Sequence, residues 1–208
     1  MAKSKKVIEI EKRGPLNPLK KKKLKSFLRK KAKLLGEFNQ LSVFIESDNA
    51  ITGNIENAKA SIAIAIQKNI LTRKTKCELK VKVGKFESGA RKEIVIPFTF
   101  NNINQILDFL RVFGLVEGCP RYYHRTDYKL DNYIISIKES GLLADHFEIE
   151  TSVENTDDIA SEEKKMKLWL KKQKLSVYTQ ESYKKLILKI FRDNPPVDFE
   201  KIDLNVVN

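Results

Sequence analysis

The chain has 208 residues, about two fifths of them apolar. That is enough to bury a real core in one domain, with at most a small helical appendage. Forty Lys and Arg stand against 27 Asp and Glu, a formal charge of +13 that attracts anions such as phosphates or nucleic acid. Two distant cysteines, Cys77 and Cys119, exclude a disulfide framework, and no apolar run approaches the length of a membrane span, so a soluble cytoplasmic protein with no membrane partner is expected.

Residues 1–6 read as a flexible basic N-terminus. Val7 to Arg13 alternates, with Ile8 and Ile10 on one side and Glu9, Glu11 and Arg13 on the other, which predicts a half-buried strand broken by Gly14-Pro15. Asn17-Pro18 resembles a helix cap with proline in the first turn, opening a very basic helix over 18–35 that stops at Gly36. Strands follow at Leu41 to Glu46, Ser61 to Gln67, Glu78 to Val83 and Arg91 to Phe98, with a loop at Asp48 to Asn57 and a turn at Gly84 to Gly89. Asn102 to Phe113 has the apolar spacing of a helix ended by Gly114.

Three more strands are expected at Tyr122 to Lys129, Asn132 to Lys138 and His146 to Ser152, with a tight turn at Leu130 to Asn132. Thr156 to Lys174 reads as a charged helix. Thr179 caps a last one, ending at Asn194-Pro195-Pro196, and 194–208 is expected to be a flexible tail. Antiparallel strands with inserted helices define an α+β class.

Two acidic pairs carry the chemical signal. Glu9 and Glu11 share one face of the first strand, and Glu148 and Glu150 share one face of the last. Carboxylates two apart on a strand suit a hard divalent cation, although an isolated pair also serves as a solvated face. Four in one site would repel unless a cation sat between them. Lys80 and Lys82 share a face, as do Arg91 and Glu93, and Arg125 lies opposite His124 and Thr126. A barrel can gather such side chains inside, where arginine grips phosphate oxygens in a fork.

These residues resemble the CYTH superfamily, which includes class IV adenylyl cyclases and thiamine triphosphatases. Glu9-Ile10-Glu11-Lys12-Arg13 is similar to its N-terminal E-x-E-x-K signature, with Arg13 where Lys is usual. Glu148-Ile149-Glu150 resembles the closing E-x-E strand, Arg91-Lys92-Glu93 the R-x-E strand, Leu79 to Gly84 the strand with a tunnel lysine, and Ser182-Tyr183 the start of the C-terminal helix. The resemblance spans about 7–193, including the C-terminal helices from about 156. It implies an antiparallel eight-stranded β-tunnel with flanking helices and a C-terminal helical pair. It further implies Mg²⁺ or Mn²⁺ on Glu9, Glu11, Glu148 and Glu150, and phosphate on Arg13, Lys80, Lys82, Arg91, Arg125 and Lys138.

Three further positions depart from the family pattern. Ala63 and Ala65 stand where two arginines are usual, unless a shifted register brings Arg73 or Lys74 into play. Lys138 stands where an Asp commonly helps hold metal. The expected activity is metal-dependent hydrolysis of inorganic or nucleoside triphosphate, with adenylyl cyclase chemistry as second choice. The alternative is a catalytically degenerate tunnel that binds RNA, polyphosphate or another polyanion through the basic helix. No catalytic residue beyond these is assigned, and the protein is expected as a monomer or homodimer.

Overall fold

The computed structural model describes residues 8–45, 60–83, 90–140 and 145–207. The N-terminal segment 1–6, Val7, the Asp48 to Asn57 loop and the Gly84 to Gly89 turn lie outside the described residues. Eight strands form one closed antiparallel barrel: β1 (Ile8–Pro15), β2 (Lys33–Ile45), β3 (Ala60–Asn69), β4 (Thr75–Val83), β5 (Ala90–Phe98), β6 (Glu117–Leu130), β7 (Tyr133–Glu139) and β8 (His146–Val153). The order runs β2-β3-β4-β5-β1-β8-β7-β6, and β6 closes it by pairing with β2. Four helices surround it: α1 (Pro18–Lys31), α2 (Ile103–Val112), α3 (Asp158–Lys172) and α4 (Gln180–Asp193). The α+β tunnel expected from the sequence is what forms.

The barrel is apolar outside and polar inside. Outward residues of β2, β3 and β4 (Leu41, Val43, Ile64, Ile66, Leu79) pack under Ile103, Leu107 and Leu110 of α2. Those of β1, β7 and β8 (Ile10, Ile135, Ile137, Phe147, Ile149) pack under Leu24 and Leu28 of α1 and Met166 and Leu170 of α3. Strand alternation then directs the other half of the side chains into the lumen.

Three local expectations are corrected. Gly14 and Pro15 do not break β1 but complete it, paired with Phe147 and His146. Gly14 is required there, because a Cβ would stand 2.0 Å from the Ser176 carbonyl oxygen. The basic helix stops at Lys31, and Lys33 to Gly36 belong to β2, paired with β6 through an irregularity between Leu34 and Gly36. Past Leu28 the helical apolar stripe has nothing left to bury, and ladder pairing takes over. The segment from Val197, expected to be loose, forms a two-residue strand β9 (Val197–Asp198) on β6 and seats Phe199, Ile202 and Val207 in the α2 core.

The helix caps follow the sequence. Asn17 accepts from the Lys20 amide at 2.8 Å, and Thr179 accepts from the Ser182 amide at 3.1 Å. Asp131-Asn132 makes the two-residue turn between β6 and β7, with Asp131 at φ 50°.

Candidate functional site

The inward rows meet in one tunnel. Its wall includes Glu9, Glu11 and Arg13 from β1, His146, Glu148 and Glu150 from β8, Lys138 from β7, and Arg121, Tyr123 and Arg125 from β6. The other half carries Gln40, Ser42 and Phe44 from β2, Ser61, Ala63 and Ala65 from β3, Lys80 and Lys82 from β4, and Glu93 from β5. Its volume, about 200 Å³, exceeds tenfold the roughly 10–15 Å³ needed by one water. This lumen is sized for a ligand with many polar atoms.

Sheet register explains the convergence. Glu11 pairs across the ladder with Glu150, and Arg13 with Glu148. Lys82 faces Glu93, and Arg125 faces Lys138. All of these pairs lie on the inner face, and cross-strand partners lie about 4.5–5.5 Å apart at Cβ. One ligand oxygen each from Glu9, Glu11 and Glu150 lies within 4.8 Å of the others. Glu9, Glu93 and Glu150 also line a second cavity with Asn155, Asp158 and Glu162, so the acidic end of the tunnel opens to the surface. At the opposite end Tyr178, Tyr183, Leu186, Ile187 and Ile190 close over the lumen.

Cations are threaded between the acids. The Lys82 Nζ lies 2.5 Å from Glu9 and 3.1 Å from Glu11. Arg13 donates to both oxygens of Glu11, each at 2.8 Å, reaches Glu148 at 2.9 Å, and donates to the Tyr183 hydroxyl. The Lys138 Nζ sits 2.6 Å from Glu148. Arg125 donates to Asp127 at 2.6 Å and to Gln40 at 3.3 Å. Lys80 lines the tunnel with its Nζ 3.4 Å from Glu78.

These contacts split the carboxylates into two kinds. Burial pushes Glu9 up to about 8, helped by the neighbouring Glu11 charge and only partly countered by Lys82. Burial and the Glu11 charge likewise raise Glu150. Burial also acts on Glu11, but Arg13 and Lys82 outweigh it and hold that carboxyl at about 2. For Glu148, Lys138 and Arg13 overcome burial and hold it well below the ordinary carboxylate range. Glu9 and Glu150 are therefore short of positive charge, while Glu11 and Glu148 already have it.

The sequence-predicted residues Glu9, Glu11, Glu148, Glu150, Arg13, Lys80, Lys82, Arg125 and Lys138 all come together in this tunnel. The Arg91 side chain lies outside the described residues; its backbone pairs with Glu9. Ala63 and Ala65 do face the lumen, whereas Arg73 and Lys74 are exposed in the β3–β4 turn, so no shifted register rescues the missing arginines.

Sequence reasoning missed Arg121, Tyr123 and the closing role of Tyr178 and Tyr183. Arg121 is 7% exposed, its guanidinium carbon 4.6 Å from the Phe44 ring centre and 5.3 Å from that of Phe191. Its Nε has no hydrogen-bond partner, the rest of the guanidinium hydrogen-bonds Tyr123, and no carboxylate of the described residues pairs with it. Burial pushes the Tyr123 phenol up to about 12, so it stays a neutral donor. The signal was there in Arg121-Tyr122-Tyr123-His124-Arg125, whose odd positions share a face.

A closed antiparallel barrel of eight strands with a charged lumen defines a tunnel fold. More narrowly, this is the CYTH-type tunnel fold. The PH1819 protein from Pyrococcus horikoshii superposes with a TM-score of 0.71 at 20% identity, over 87% of this chain and 98% of that one. A candidate adenylate cyclase from Vibrio parahaemolyticus gives 0.58 at 11% identity, over 84% and 91%. A Hippeastrum protein, a candidate adenylyl cyclase described as having a dominant triphosphatase activity, gives 0.53 at 15%, over 82% and 89%. No family profile and no curated protein sequence matches the chain. Among the described residues no helix is long and apolar enough to cross a membrane.

Proposed function

We propose that the tunnel binds a triphosphate, inorganic or carried by a nucleoside, and hydrolyses it with Mg²⁺ or Mn²⁺. The observation that carries this reading is the triad Glu9, Glu11 and Glu150 at the open end, facing a lumen lined with Arg and Lys. The chemistry of the two neighbours named above supports it. Adenylyl cyclase chemistry is the second choice.

The residues fit a hard divalent cation. Three oxygen ligands converge, and the raised Glu9 and Glu150 mark carboxylates with too little counter-charge. Glu148 fits less well, since Lys138 and Arg13 already occupy its oxygens. A bound cation would neutralise phosphate charge and supply Lewis-acid polarisation. The chain's own cations do the rest. Lys82 can turn from Glu9 towards a phosphate oxygen. Arg125, Lys80 and Arg121 present donors along the lumen, and the apolar closure over Ile187 and Ile190 excludes water and strengthens each contact.

The second reading, binding without turnover, is favoured by particular residues. Ala63 and Ala65 leave β3 without a cation in the lumen, and Lys138 brings positive charge to the wall beside Glu148. The test is a panel of tripolyphosphate, ATP, GTP and thiamine triphosphate with Mg²⁺ or Mn²⁺, comparing the wild type with Glu11→Gln. Orthophosphate release lost in the variant supports the hydrolase; pyrophosphate with a cyclic nucleotide supports the cyclase. Binding without either product supports the second reading, and no binding of any triphosphate refutes a triphosphate site in the tunnel.

A further inference from the structure

We infer that α1 and α3 together form a docking surface for the phosphate backbone of nucleic acid, on the outside of the barrel and separate from the tunnel. Fifteen of the chain's 40 Lys and Arg lie in two short segments: nine in 18–33, which has no acid, and six in 158–174. In the second segment the acids Asp158, Glu162 and Glu163 all precede Lys164, so its last two-thirds are purely basic.

The fold brings these two segments side by side. Both helices cover the same core, with Leu24 and Leu28 beside Met166 and Leu170. The Phe27 and Trp169 rings meet edge to face at 6.3 Å, and the Lys20 Nζ reaches Ser176 Oγ at 3.4 Å. Both contacts join α1 to the C-terminal end of α3 and the segment that follows it. Residues three and four away from the seam residues flank the seam. Those are Lys23, Lys30 and Lys31 on α1, and Lys165 and Lys172 on α3, all exposed. Of these five, only Lys165 pairs with a carboxylate among the described residues, Glu162 at 2.5 Å. The result is two groups of exposed cations on neighbouring helices, joined across the Phe27–Trp169 contact.

Like charges this dense destabilise each helix, and a polyanion relieves that while releasing its counterions. The aromatic residues of the seam face each other, so no ring is offered for base stacking, and recognition falls on the backbone without sequence preference. A lipid surface fits less well. The large apolar residues exposed on these helices, Leu19 at 62% and Leu168 at 61%, stand singly and make no insertion face.

The experiment measures fluorescence anisotropy of labelled 20-base-pair DNA and RNA duplexes with the full chain from 50 to 200 mM salt. Four or so phosphate contacts predict a log–log salt slope of about −4, a loss of roughly two orders of magnitude over that range. Lys23→Glu/Lys30→Glu weakens binding at least tenfold and flattens the slope by about two. Lys74→Glu/Lys189→Glu, which changes net charge equally elsewhere, stays within about twofold. The tunnel variant Glu11→Gln binds duplex like the wild type, which separates this surface from the proposed tunnel function. The relative affinities of the two duplexes identify RNA or DNA as the preferred source. Equal losses in both charge-reversal pairs, no duplex binding at 50 mM salt, or tighter binding to phosphatidylserine vesicles than to either duplex would each overturn the proposal.

Discussion

Replacing Lys138 by Met tests whether the tunnel wall is a buried ion network or a loosely hydrated lining. The Lys138 Nζ is 2.6 Å from Glu148, in side chains only 12% and 9% exposed. Stripping a buried charge of its partner costs about 3–5 kcal/mol. Glu148 would keep Arg13 at 2.9 Å and His146 at 3.8 Å, so the stripping is partial and the cost falls to about 2 kcal/mol. For a chain of this size that lowers the Tm by about 4–8 °C. Glu148→Gln alone should cost at least as much, since it leaves Lys138 beside Arg125 and Arg13 with only Glu11 as nearby counter-charge.

The double variant should then recover about 1–3 kcal/mol relative to the sum of the singles. Acid adds a second readout. A carboxyl held low contributes stability that is present above its unfolded pKa and lost as pH falls. Removing Lys138 shrinks that contribution, so the acid loss of Tm between pH 5 and 3 becomes shallower in Lys138→Met. Thermal melts of the four proteins at pH 7, 5 and 3 make the comparison. A Lys138→Met protein within about 0.5 kcal/mol of wild type, with additive double-variant effects, refutes the network.

Three further outcomes are expected. The Glu9 carboxyl lies at about 8 in the fold against 4.5 for a free one, so its stabilisation is complete below pH 4.5 and lost as pH rises through about 8. Melts in EDTA should show Glu9→Gln flattening that decline, and added Mg²⁺ or Mn²⁺ should raise the wild-type Tm more at pH 8 than at pH 5. In Gly14→Ala the new methyl would meet the Ser176 carbonyl, displacing the 176–178 segment whose Tyr178 amide bonds to the Arg13 carbonyl at 2.9 Å. Overpacking of about 1–3 kcal/mol and weaker tripolyphosphate binding by calorimetry should appear together; a lower Tm with unchanged binding would disconnect that segment from the lumen. Ala63→Arg places a guanidinium in the lumen and should tighten tripolyphosphate binding about tenfold, one charge-assisted contact less some repulsion from Lys80 across the ladder. Unchanged or weaker binding would mean that phosphate does not reach β3.

The tunnel was legible because strand alternation fixes which residues share a face before the fold is known. Glu9, Glu11 and Arg13, or Lys80 and Lys82, cannot be separated by any closure of the sheet. What alternation cannot give is which rows face each other, and so the sequence did not reveal that Lys138 takes Glu148 while Glu150 joins Glu9 and Glu11. The end of α1 was misread for a related reason. Lysine runs are compatible with helix, and only the long-range ladder to β6 assigns Lys33 to Gly36 to a strand. The packed segment from Val197 escaped notice because three apolar anchors, Phe199, Ile202 and Val207, have no helical or strand period.

An inverted barrel of this kind binds its helices to its chemistry. Because the lumen holds the charges, the apolar half of most strands points outward onto α1, α2 and α3, while Ile94 and Ile96 of β5 stay exposed. The fourth helix does something else. Ile187, Ile190 and Phe191 of α4 form a separate apolar cluster with Cys119 that caps the tunnel, and the same helix brings Tyr183 to Arg13 and Phe191 over Arg121. The two arginines are thereby buried, one balanced by Glu11 and Glu148, the other held by Tyr123 and the Phe44 and Phe191 rings with no carboxylate among the described residues. A buried cation left in that condition is destabilising until an anion enters. An anion at the capped end of the tunnel would offset that cost.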